Sequence, residues 1–156
     1  AERTVEQLKY IHAVYDLAKE KGYIQDATFT GMKHRMEQEN MQRSEKVARG
    51  EAVYGLKEYT LDLYQEYELS MIEEAYILDE TNEGMGLTEE EIEAYYNTRD
   101  WIVGEDARKA DLSEARAAVI DEMRRNRYQE LTEQKAAVAE VDGDMDQLSQ
   151  FTLKQL

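Results

Sequence analysis

His12 and His34 are the first residues to test for chemistry, because imidazole is the side chain that titrates nearest neutrality without help. They fall on two separate predicted helices and share no motif, so two surface or partly packed histidines outweigh a metal or catalytic pair. Carboxylates are plentiful. The run from Asp79 to Glu93 holds seven and no cation. Paired carboxylates do acid-base work when burial drives their pKa values apart. Here a helix start already accounts for Glu89, Glu90 and Glu91. Asp142-Gly143-Asp144-Met145-Asp146 sets oxygens at alternate positions, as a calcium loop begins. Gln147 then stands where the turn glycine belongs and Leu153 where a bidentate Glu is needed, which leaves a solvated turn. Gly84-Met85-Gly86 is too short to cradle phosphate, and Glu83 and Glu89 beside it have the wrong sign. No nucleophile elbow, Walker loop, dinucleotide fingerprint or H-E-x-x-H zinc motif occurs. The expectation is a protein without catalytic residues, cofactor or metal.

Composition narrows the partners. Across 156 residues the formal net charge is −16, with 42% hydrophobic and 35% charged residues. That is too apolar for a disordered chain. The negative sign argues against nucleic acid, whose binding depends on clustered Lys and Arg displacing counterions. The richest basic stretch, Lys33 to Arg49, holds five cations against three anions. No run approaches the roughly 18 apolar residues of a membrane span. With 0 Cys, neither a disulfide nor a thiolate metal site can form. The opening Ala1-Glu2-Arg3 lacks both Met and an apolar signal region, as expected of either a processed N-terminus or a trimmed chain.

The elements follow from caps and periodicity. Proline is absent, and glycine supplies the punctuation. Thr4 with Gln7 forms a capping-box pair for a helix from about Val5 to Lys21, which Gly22 stops. Its stripe is Leu8, Ile11, Tyr15 and Ala18. A second helix spans Thr30 to Ala48, its later half polar enough to project. Ala52-Val53-Tyr54 reads as a short strand or extended link. A third helix runs from Thr60 to Leu78, with Tyr64, Tyr67, Met71, Ala75 and Leu78 at helical spacing. Asp79 to Leu87 is a loop. Thr88 with Glu91 is a capping box flanked by the staple pair Leu87 and Ile92, and this helix ends near Arg99. Asp111 with Glu114 caps the longest helix, Leu112 to about Ala137, and Val138 to Val141 alternates like a strand.

Within this frame the Tyr64, Tyr67 and Met71 stripe is first a core-facing surface and second a binding groove. Trp101, in a connector, is either a plug or an exposed anchor for a partner. Tyr95 and Tyr96 complete the candidate polypeptide-binding set. With 11 Tyr against 2 Phe, much of the aromatic surface can bury a ring and keep its hydroxyl wet.

Two segments together resemble the chaperone portion of parvulin-type foldases, the SurA and PrsA kind. One is Leu87-Thr88-Glu89-Glu90-Glu91-Ile92-Glu93-Ala94-Tyr95-Tyr96, similar to the stretch that leads into their isomerase domain. The other is Asp111 to Val141, similar to the helix and strand that follow it. Gly50 to Thr60 also resembles a region of Gram-positive members. The resemblance covers residues 50 to 141 and departs sharply in the middle, where only Arg99 to Asp111 stands in place of the whole isomerase domain. It therefore implies no catalytic residue. What it implies is an extracytoplasmic scaffold, secreted or membrane-anchored, that cradles non-native or partner polypeptide.

The reading is a mainly α fold of five to six helices forming one domain over residues 1–156. It comprises N-terminal helices to residue 98, the 99–111 connector, and a long helix and tail from residue 112. A two-stranded ribbon pairing Ala52–Tyr54 with Val138–Val141 is allowed for. Leu112, Val119 and Met123 are expected to share a core with Tyr64, Tyr67 and Met71. The connector is short enough for a swapped homodimer as well as a monomer. The function expected is chaperone-like or secretion-accessory polypeptide binding without catalysis. A structural or assembly subunit is the first alternative and an isomerase-related enzyme the second.

Overall fold

The computed structural model describes residues 4–139. Among them are five helices, α1 (Val5–Glu20), α2 (Phe29–Ala48), α3 (Leu61–Leu78), α4 (Glu89–Tyr96) and α5 (Leu112–Val138). A two-stranded antiparallel hairpin joins α4 to α5, with β1 (Ile102–Val103) paired to β2 (Arg108–Lys109) in the register Ile102 to Lys109. The fold is mainly α with one small ribbon. That ribbon lies inside the connector rather than between the expected segments. Residues 51–60 form no strand, and Val138 is the last residue of α5. Ala139 is in no strand, and Glu140, Val141 and the calcium-like turn after them lie outside the described residues.

Local chemistry sets the helix ends. In α1 the Thr4 hydroxyl accepts from Gln7 N (3.2 Å) and the Gln7 side chain accepts from Thr4 N (2.9 Å), a reciprocal capping box. Gly22 stops this helix at φ 76°, and Tyr23 N donates back to Ala18 O at 2.8 Å. α2 starts one residue earlier than its periodicity suggests, because Thr28 caps it and the Asp26 carboxylate in turn accepts from Thr28 N. Gly31 is needed there for space: a Cβ would stand 2.5 Å from Asp26 Cγ. Thr88 with Glu91 and Asp111 with Glu114 make the two further boxes where the spacing puts them.

The chain divides into two compact units. One comprises residues up to Ile72 together with those from Thr132 onward, the other Glu73–Leu131. The first has a core of Leu8, Ile11, Val14, Tyr15 and Ala18 from α1, Phe29 and Met32 from α2, and Tyr64 and Ile72 from α3. The second is built on Ile92, Trp101, Ala110, Ala115, Val119 and Met123, with Leu87 packed against it beside Ile92, as a staple requires. In the second unit the 79–88 loop is fixed by arginines from α5. Arg124 donates to Met85 O (3.1 Å) and Arg127 to Gly84 O (3.0 Å).

This division corrects the expected common core. Leu112, Val119 and Met123 belong to the second cluster, Tyr64 and Tyr67 to the first, and Met71 is 51% exposed. The α3 stripe was displaced by about one position in its pattern. The residues α3 buries in the first unit are Tyr64, Gln65, Glu68 and Ile72, whereas Met71, Ala75 and Leu78 face solvent. Two polar residues on the buried face hid it from a hydrophobic pattern.

Candidate functional site

The buried polar residues of α3 explain themselves through Arg35. Its guanidinium donates to both Glu68 carboxylate oxygens at 2.7 Å and to Asp26 O at 2.7 Å. Tyr15 and Tyr64 lie beside the same carboxylate. Burial, and then the Glu68 charge, push both phenols above their ordinary range. Burial disfavours the Arg35 charge, but Glu68 outweighs it and Arg35 is held above its usual value. A carboxylate gripped by both arms of a guanidinium is a poor proton acceptor. The constellation is a clasp between α2 and α3.

The histidines do not meet it as a pair: His12 is buried in α1 and His34 is exposed on α2. Among the described residues no group of His, Cys, Asp or Glu could hold a metal ion. No helix among them is long and apolar enough to cross a membrane.

The six residues singled out by sequence are distributed over both cores. Tyr64 is buried and Tyr67 half-buried in the first, edge-on and tilted to Tyr59 at 5.7 and 5.2 Å between ring centroids respectively. Met71 is exposed. In the second, Tyr96 Oη donates to Ala110 O (2.6 Å), and the Tyr95 hydroxyl accepts from Asn126 (3.1 Å). Trp101 is a plug: it is 8% exposed, its Nε1 donates to Tyr96 O at 3.1 Å, and Arg99 covers its ring at 4.1 Å.

A different surface stands out for display. From Met41 to the end of α2 every residue is exposed except the half-buried Arg43. The chain then returns as an irregular strap, residues 51–60, held along α2 by polar contacts. Arg43 donates to Tyr54 O (3.0 Å) and Leu56 O (2.6 Å), pairs with Glu39 (2.8 Å) and lies 4.8 Å from the Tyr59 ring centroid. Asn40 exchanges two hydrogen bonds with the Tyr59 backbone, accepting from N at 2.7 Å and donating to O at 3.0 Å. The backbone is thus anchored while two of its large side chains are left in water, Tyr54 88% and Leu56 44% exposed. Val47, one turn beyond Arg43 on the same face, is 47% exposed. The sequence carried one signal of this surface, the apolar Ala52-Val53-Tyr54 between Gly50 and Gly55. It gave no sign that an arginine would fix the segment from below.

Comparison with known proteins places this geometry. No family model matches the chain. Along its whole length it is 36% identical to a protein of Bifidobacterium longum subsp. longum named a chaperone for lacto-N-biosidase, and it spans 56% of that protein. Its fold is shared with part of a GH136 lacto-N-biosidase from Eubacterium ramulus. The TM-score is 0.74 at 19% identity, over 92% of this chain and 29% of that one, and the selenomethionine form of the same enzyme gives 0.75. Neither is named as a parvulin-type foldase, so the likeness drawn from the Glu-rich caps finds no support in them. Capping boxes such as Thr88-Glu91 arise wherever a helix needs its first amides satisfied, and they carry little ancestry.

Proposed function

We propose that this chain is a chaperone, or the helical part of one, that binds the polypeptide of a glycoside hydrolase and does no covalent chemistry on it. The observation that carries the reading is the similarity, along the whole of this chain and 56% of the relative, to the chaperone for lacto-N-biosidase. Two features support it. The buried Arg35–Glu68 pair is a clasp between helices, and the exposed apolar side chains of the strap sit on an anchored backbone. The hydrolase in question would be of the GH136 lacto-N-biosidase kind.

Co-expression tests it. A GH136 lacto-N-biosidase produced with this chain should show several-fold more hydrolysis of an aryl lacto-N-bioside per cell than the enzyme produced alone. Equal activity with and without the chain would end the proposal.

One observation favours a second reading, a subunit that stays with the enzyme after folding. A region of this fold makes up 29% of a chain that is itself a GH136 lacto-N-biosidase. Size-exclusion chromatography of the co-expressed pair separates the two. Co-elution with the active enzyme marks a subunit, and free enzyme marks a chaperone that is released.

A further inference from the structure

We propose that the strap, residues 51–60, is a built-in stand-in for a client segment. The surface beneath it, formed by Asn40 and Arg43 of α2 with Tyr64 and Tyr67 of α3, is then a site for a non-helical stretch of polypeptide bearing an aromatic side chain. The client takes the strap's place there. The proposal rests on the chaperone reading above and names the surface that such a chaperone would use.

The contacts that seat the strap define the ligand. The Asn40 amide accepts from Tyr59 N (2.7 Å) and donates to Tyr59 O (3.0 Å), so one side chain satisfies both backbone groups of a single residue. Arg43, held by Glu39 at 2.8 Å, donates to Tyr54 O (3.0 Å) and Leu56 O (2.6 Å). None of these four bonds to the strap reads a side chain. They require only unpaired backbone N–H and C=O groups, which non-native polypeptide offers and folded elements have already paired. Peptide sites that add a strand divide the work in the same way, main-chain bonds supplying affinity and a side-chain pocket selectivity.

The pocket here is aromatic. The Tyr59 ring lies 5.7 Å from Tyr64, edge-on, and 5.2 Å from Tyr67, with the Arg43 guanidinium 4.8 Å from its centroid. Ring pairs at these spacings, and a cation near a ring, favour an aromatic occupant over an aliphatic one. Little else holds the strap down. Among residues 51–58 all but the half-buried Val53 are exposed. A segment with so little buried apolar surface belongs to the least stable part of a fold. Gly50 and Gly55 stand at φ 74° and 78° with open space around them, and both can turn without collision. A client that offers the same backbone groups and a ring therefore replaces the strap's contacts one for one.

The probe is a fluorescein-labelled peptide copying residues 52–60 with Lys57→Ala, its binding read by anisotropy. Tyr59→Ser in the whole chain empties the pocket and leaves Asn40, Arg43, Tyr64 and Tyr67 in place. That variant should bind the peptide about ten-fold or more tightly than the unaltered chain, the factor regained when a site open a tenth of the time or less becomes fully open. Adding Asn40→Ala to it should abolish the gain, and a peptide that also carries Tyr59→Ala should bind weakly to every variant. The unaltered chain gives a second readout that depends on no substitution: saturating peptide should speed trypsin cleavage at Lys57 several-fold. Equal peptide affinity with and without Tyr59→Ser would overturn the stand-in, as would cleavage indifferent to the peptide. A gain that survives Asn40→Ala would overturn the site. A GH136 lacto-N-biosidase diluted from guanidinium should compete with the peptide for the Tyr59→Ser chain, and absence of competition would overturn its use for that client. Peptide binding tests the site and co-expression tests the chaperone reading, so failure of either is seen separately.

Discussion

Arg35 on α2 and Glu68 on α3 face each other through two parallel hydrogen bonds of 2.7 Å, with the Glu68 side chain only 8% exposed. A carboxylate so placed has left water and depends on the guanidinium for its counter-charge, with the Tyr15 and Tyr64 hydroxyls beside it. Arg35→Met should therefore destabilise the protein by about 3–5 kcal/mol, because it strands a buried charge. Arg35→Met with Glu68→Leu should recover part of that loss, since the apolar pair strands no charge, although the Tyr15 and Tyr64 hydroxyls lose the Glu68 acceptor. Urea melts of the two single variants and the double check both statements. Additive losses would show that the residues do not act as a pair.

Acid should weaken the fold through its helix starts. Hydrogen bonds from Thr28 hold the Asp26 carboxyl below its ordinary value, and Thr88 and then Arg127 do the same for Glu91. A carboxyl whose folded pKa lies below its unfolded one adds stability above the unfolded pKa and loses it as pH falls through the folded one. Melting temperature should thus be level through neutrality and decline below the ordinary carboxylate range. Asp26→Asn should flatten part of that decline; an unaltered acid limb would show that Asp26 has no share in it.

The Thr88 hydroxyl accepts from Glu91 N, one of the free amides of the first turn of α4, and Thr88→Ala should destabilise the protein by about 0.5–2 kcal/mol. Thr88→Ser should restore most of it. Denaturant melts indifferent to the alanine would remove Thr88 from the cap.

The single tryptophan reports on the second core, because Trp101 packs there with Met123. Met123→Ala, at a position 6% exposed, should cost about 2–5 kcal/mol. The shift should appear in the Trp101 fluorescence transition. A coincident transition with the unaltered protein would contradict the burial of Met123.

Arg43 should matter for the strap and little for the core. Lysine has neither the reach across two carbonyls nor the planar face set against Tyr59. Arg43→Lys should speed trypsin cleavage at Lys57 while the thermal transition stays nearly in place. Cleavage at the original rate would mean that Arg43 does not hold residues 51–60.

Much of the architecture was legible from residues alone, wherever the controlling interaction is local. The boxes at Thr4, Thr88 and Asp111 and the left-handed Gly22 involve partners three to five residues away, so spacing alone determined them. The acid excess that bounds the partners is likewise a property of composition. What only the tertiary structure decided involves partners far apart in sequence. The face of α3 turned inward was set by Arg35, 33 residues before Glu68, which makes a buried position tolerable for a carboxylate. Hydrophobic periodicity cannot see such a pair, and it assigned Met71 and Leu78 to the core in place of Gln65 and Glu68. Trp101 had two readings until Tyr96 O and the Arg99 guanidinium were found around it. The strap looked like a link because no residue within it records that Arg43 and Asn40 hold its backbone. A sequence states which groups prefer to leave water, and the assembled helices decide which of them are left displayed.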